Sequence, residues 1–89
     1  MAYSVFLMNS ARRELEHLPA WQHDAVVRRL LGMPDNPRPP GAGKLQGREE
    51  YKLRVGSLRI IFGVDDARKE VTVYMVDDRK QVYRRLRRK

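Results

Sequence analysis

Two runs of alternating residues, Tyr51-Lys52-Leu53-Arg54-Val55 and Leu58-Arg59-Ile60-Ile61-Phe62, are separated by Gly56-Ser57 alone. A link this short forces an antiparallel hairpin, and glycine at its first position suits a type II′ turn, whose twist matches that of the strands it joins. The turn sets the register: Val55 opposes Leu58, Arg54 opposes Arg59 and Leu53 opposes Ile60. Side chains alternate between faces. Tyr51, Leu53 and Val55 therefore meet Leu58, Ile60 and Phe62 on a core side, while Lys52, Arg54 and Arg59 share the other.

The rest of the chain must supply what covers that core side. "AYSVFLM" is short, aromatic and β-branched, and its apolar residues on both faces predict an interior strand. Asn9 and Ser10 offer an N-cap to a brief helix with Ala11, Leu15 and Leu18 at helical spacing, which Pro19 interrupts. A second helix starts near Ala20 or Trp21 and carries Trp21, Ala25, Val26, Leu30 and Met33 along one side. "PDNPRPPGAGKLQG" holds four of the chain's five prolines, so it ends the helix and crosses as a loop. Strands are predicted at about 50–55, 58–64 and 70–76, with Asp65-Asp66-Ala67-Arg68-Lys69 as a polar turn.

This order predicts an α+β fold: an N-terminal strand, a helical hairpin, then an antiparallel β-meander with helices packed on one face of the sheet. The 89 residues suffice for one domain, 1–89, with a basic tail from about residue 84. The tail is open to being a frayed helix, a disordered basic arm, or both.

Charge narrows the partners. Nineteen Lys and Arg against eleven Asp and Glu leave a formal charge of +8, which favours polyanions such as nucleic acid. With no cysteine there is no disulfide framework and no thiolate metal site. The longest early apolar run, Val5-Phe6-Leu7-Met8, is too short for a membrane span or a signal-peptide core. No membrane contact and a cytoplasmic location are expected.

Arg54 facing Arg59 is unfavourable: two unit charges about 5 Å apart repel by about 3 kcal/mol at an effective dielectric near 20. Either water solvates this face, or a bound phosphate supplies the missing counter-charge to the guanidinium forks. The segment "VDDRKQVYRR" bears on the choice. If it turns helical, Arg79 and Tyr83, four apart, share a face and return toward the hairpin. Basic residues interleaved with an aromatic suit single-stranded RNA, the cations holding the backbone and the ring an unstacked base. A packing role for Tyr83 is the alternative. Asp77 and Asp78 could pair with Arg79, or face solvent or a partner protein.

The "YKLRVGSLRIIFGV" hairpin and the "DRKQVYR" ending resemble the RelE-type toxins of bacterial toxin–antitoxin systems, and the resemblance runs over nearly the whole chain. The hairpin with its central arginine is shared with ParE-type toxins, which use a similar scaffold to poison DNA gyrase. The RelE resemblance implies an endoribonuclease that needs no metal or other cofactor, enters the ribosomal A site and cleaves mRNA by 2′-hydroxyl attack on the adjacent phosphate. By position it implies Lys52 as general base, with Arg54 acting electrostatically beside it. Arg59 would hold the phosphate, Arg79 would be general acid or second clamp, and Tyr83 would orient the nucleotide. It further implies a cognate antitoxin, a toxin–antitoxin hetero-oligomer, and the ribosome and mRNA as partners. A protonated lysine cannot accept a proton, and the nearby guanidiniums, together with burial under RNA, disfavour its charged form. Besides the nuclease, two readings stay open: a gyrase poison and a non-catalytic nucleic-acid-binding module.

Other features carry less. His17 and His23 fall in no metal-ligand motif and are expected at the surface. "GAGK" lacks the first glycine and the hydroxyl residue of a P-loop. Trp21, Met8, Met33 and Met75 read as core fillers, and Glu14 and Glu16 as solvent-facing. Val82 and Leu86, four apart, could also pack against an antitoxin helix.

Overall fold

Alternation and the Gly56-Ser57 link place the hairpin at the centre of a sheet, and the flanking segments assemble around it. In a computed structural model of the chain, residues 2–87 are described, Arg79 by its backbone alone. The elements are β1 (Ser4–Leu7), α1 (Asn9–Glu16), α2 (Ala20–Gly32), β2 (Gly43–Lys44), β3 (Tyr51–Val55), β4 (Leu58–Asp65), β5 (Glu70–Asp78) and α3 (Arg79–Arg87). The sheet order is β1-β5-β4-β3-β2, with β1 parallel to β5 and every other pair antiparallel. The hairpin register is the one its turn dictates, and Gly56 sits at φ 59°, as the first position of a type II′ turn requires.

Helices α1 and α2 pack on one face of the sheet. Ala11, Leu15, Val26, Leu30 and Met33 meet Leu53, Leu58, Ile60, Phe62, Val71, Val73 and Val76. A bulge redirects β5: Ile61 pairs with Met75 but Phe62 with Val73, leaving Tyr74 as an extra residue. Val71, Val73 and Val76 thus face the helices, whereas Met75 turns to the opposite face beside Ile61. There a second cluster forms from Leu45, Ile61, Met75 and Val82, with Leu86 packed against it. The basic tail is accordingly an amphipathic helix docked on the second face as far as Arg87. Its last two residues lie outside the described set.

Several expectations are corrected. β1 is an edge strand, with Phe6 and Met8 about half exposed, because the sheet ends there and only Val5 and Leu7 reach the core. The N-cap of α1 is Met8 without a side-chain cap bond, and Asn9 and Ser10 lie in the first turn. Trp21 is 71% exposed near the start of α2, while Met33 and Met75 are buried as expected. Val82 and Leu86 pack on the protein's own sheet.

Glu14 is not solvent-facing either. β1 ends opposite Val73, so the edge of β5 beyond it has no strand partner among the described residues, and a buried unpaired N–H is costly. Glu14 Oε1 accepts the Val76 N–H at 3.0 Å, and its other oxygen pairs with Arg85.

The proline-rich loop is tied at Arg38, which donates to Tyr51 Oη at 2.9 Å and to both oxygens of Asp66 at 2.8 and 3.2 Å. Tyr3 Oη donates to Asp66 at 2.7 Å. The Arg38 hydrogen bonds, then that of Tyr3, lower the Asp66 pKa to about 2. Because the folded-state value lies below the unfolded one, this tie stabilises fully above about pH 4 and is lost as pH falls through about 2. Asp66→Asn should remove that part of the acid transition, as read by circular dichroism between pH 4 and pH 2.

Candidate active site

Lys52 and Arg54 project from β3 and Arg59 from β4, all on the face opposite α1 and α2, as the alternation demands. α3 brings Tyr83 to them. Its first turn is capped by Asp78 Oδ1, which accepts the Gln81 N–H at 2.9 Å, and Val82 anchors it in the second cluster. One residue further round the helix, Tyr83 turns toward β3, where its hydroxyl receives a hydrogen bond from Lys52 Nζ at 3.3 Å. The same ammonium lies 6.0 Å from the Tyr83 ring centroid.

Arg59 is the unusual member. It is only 9% exposed, and its side-chain hydrogen bond to the Leu58 carbonyl is long at 3.4 Å. Among the described residues no carboxylate lies within ion-pair distance of its guanidinium. Asp77 opposes it in register across β4 and β5, but the Asp77 carboxylate binds Arg85 at 3.1 Å and the Asp78 N–H at 2.9 Å. Arg54, directly opposite Arg59, adds a second positive charge from an exposed position. A nearly buried cation with no counter-ion among the described residues, beside another cation, is a site prepared for an anion. Its planar fork suits the oxygens of a phosphate.

Of the residues singled out from the sequence, Lys52, Arg54 and Arg59 share one face of the hairpin, and Tyr83 is hydrogen-bonded to Lys52. The Arg79 side chain lies outside the described residues. Asp77 and Asp78 have positioning tasks, one holding Arg85 and the other capping α3. No group of three or more His, Cys, Asp or Glu side chains is arranged to hold a metal among the described residues.

Sequence reasoning missed Glu14 and Arg85. Together with Asp77 they clasp α1 to α3 around the open edge of β5. Helical periodicity assigns Glu14 to the solvent side, and nothing local reveals a partner 71 residues away. Glu14→Ala should cost about 1–3 kcal/mol by orphaning the Val76 N–H and half of the Arg85 contact. Urea denaturation checks the magnitude, and faster hydrogen exchange at Val76 checks the location.

A family model described as the ParE toxin of the type II toxin–antitoxin system parDE matches residues 5–83. Toxin RelG of Mycobacterium tuberculosis is 36% identical over 96% of this chain and all of its own length. The toxin–antitoxin complex RelBE2 of the same organism superposes with a TM-score of 0.77 at 28% identity, covering 89% of this chain and 100% of that one. A mutant of the Escherichia coli toxin RelE in the free state gives 0.77 at 26% identity, over 94% and 93% of the two chains.

Proposed function

Because the chain belongs to the RelE/ParE superfamily of type II toxin–antitoxin toxins, we propose that it is a ribosome-dependent endoribonuclease that cleaves mRNA in the A site. The observation that carries this reading is Arg59, nearly buried, without a carboxylate partner among the described residues, and on one face with Lys52 and Tyr83. In the reaction the ribose 2′-hydroxyl loses its proton to Lys52 Nζ and attacks the adjacent phosphorus. The bond to the 5′-oxygen breaks, leaving a 2′,3′-cyclic phosphate and a 5′-hydroxyl. Arg59 stabilises the charge that builds on the phosphoryl oxygens, the term that usually contributes most in such sites. Arg54 adds to the positive field, and Tyr83 orients the nucleotide. Arg79 serves as general acid to the leaving oxygen or as a second clamp.

A cognate antitoxin is the expected regulator, as in the RelBE2 complex, forming a hetero-oligomer with the toxin. An acidic segment that folds over the basic face would neutralise it. The description of the matching family model as a ParE toxin favours a second reading, a gyrase poison that needs no phosphate chemistry at Arg59.

One experiment separates these readings. The purified chain is added to programmed ribosomes, mRNA ends are mapped by primer extension, and a gyrase cleavage assay runs beside it. Ribosome-dependent cuts are expected. Trapped gyrase complexes without cuts establish the second reading, and neither outcome leaves a nucleic-acid-binding module.

A further inference from the structure

α3 covers only part of the face that bears Lys52 and Arg59, the part over Ile61 and Met75. Beyond it one row of the sheet is open. Phe6 on β1 pairs with Thr72 on β5, and Thr72 with Gly63 on β4. Phe6 is 50% exposed and alternates with the core residues Val5 and Leu7, so it stands on this open face. Tyr74, the extra residue of the bulge, is 37% exposed and lies across Gly63. A Cβ at position 63 would sit 3.1 Å from the Tyr74 hydroxyl and 3.2 Å from Cε2, so the missing side chain is what lets the ring rest on the sheet.

Single exposed aromatics need no explanation. Here two flank one row, and one of them, seated on a glycine, lines a cleft of about 500 Å³. Lys44, Glu50, Gly63, Asp65, Thr72 and Tyr74 line it, and the volume is that of a small-ligand site. We infer that this cleft binds a nucleobase of the RNA strand whose phosphate lies at Lys52 and Arg59, with Tyr74 as its stacking platform and Phe6, the register partner of the lining residue Thr72, beside it. The inference rests on the ribonuclease reading for the identity of the strand.

Two observations orient the nucleotide. The carboxylates that line the cleft, Glu50 and Asp65 among them, disfavour phosphate there, whereas Lys52, Arg54 and Arg59 attract it. The backbone therefore follows the basic end and the base points to the cleft. The separation suits one flanking nucleotide: Gly63 is two residues along β4 from Ile61, the register partner of Lys52, a step of about 7 Å. The Thr72 hydroxyl, which both donates and accepts, lies on the same row to meet a base edge.

The test is an NMR titration of the full chain with 2′-deoxytrinucleotides, which lack the attacking hydroxyl and cannot be cleaved. Saturable shifts are expected at the Gly63 and Thr72 amides and in the Tyr74 ring. Tyr74→Leu should weaken them roughly tenfold or more, as loss of one base–aromatic stack does. Shifts confined to the Lys52–Arg59 end up to millimolar trinucleotide overturn the inference. So does an effect of Tyr74→Leu on antitoxin binding alone, which would assign the face to a protein. Failure of the nuclease reading is distinguishable: base binding at Tyr74 without ribosomal cleavage retains the subsite, whereas cleavage with no shift at Gly63 retains the nuclease and removes the subsite.

Discussion

Arg59→Ala should lower ribosome-dependent mRNA cleavage by about 100- to 1,000-fold, the range seen when one preorganised donor to a developing oxyanion is removed. The fold should survive. Arg59 has no carboxylate partner among the described residues, so its loss strands no buried anion, and the remaining bond to the Leu58 carbonyl is long. A circular dichroism spectrum and melting curve matching the parent, beside the lost cleavage, would be the full result. Lys52 separates roles further. Lys52→Ala should reduce cleavage sharply whether the ammonium acts as base or as a simple charge, but Lys52→Arg divides the two, because a guanidinium keeps its proton. Loss of activity in Lys52→Arg supports proton transfer, and retained activity assigns Lys52 an electrostatic role. Unchanged cleavage in both Arg59→Ala and Lys52→Ala would falsify the assignment of this face as the active site.

Phe62→Ala is expected to have the largest effect on stability. Phe62 is fully buried in β4 and stacks on Tyr51, with ring centroids 5.6 Å apart. Truncation removes the transfer energy of the ring and leaves a cavity, together about 3–5 kcal/mol. A domain of 89 residues has about 4–13 kcal/mol in total, so this one change should leave it close to unfolding at 37 °C. The expected signature is a much lower urea midpoint with an unchanged slope. Phe62→Leu, which retains most of the volume, should cost far less. The Tyr51 ring is also held by Arg38, at 5.1 Å from the ring centroid, which limits how far the site can collapse to fill the void.

What was legible in the sequence was local. The Gly56-Ser57 link and the alternation around it are sufficient for the register of β3 and β4 and for the face shared by Lys52, Arg54 and Arg59. The two helices and the proline-rich crossing follow from periodicity and from backbone geometry that proline imposes. Where the reading failed, the deciding partner was remote. β1 has apolar residues on both faces, yet lies at an edge, because no described strand pairs with it on its other side. Trp21 and Met8 look like core residues by type, but the core was already filled by Phe62, Met33 and the valines of β5. The Tyr74 bulge, which divides the β5 valines from Met75, has no marker in a run of alternating apolar residues.

The candidate site divides the same way. By itself the sequence determined the chemistry available: a +8 chain, a basic strand face and an aromatic two turns from the end, all set by residue type and by the two-residue period of a strand. Only the tertiary structure decided which charges stay uncompensated. Asp77 stands next to Arg59 in register and could have neutralised it. Arg85 draws the Asp77 carboxylate away, and Arg85 is in turn held by Glu14 from α1. That arrangement depends on α3 docking through Val82, and docking depends on how much apolar surface the second face can bury. Those energies belong to contacts between segments far apart in the chain, so no local pattern encodes them.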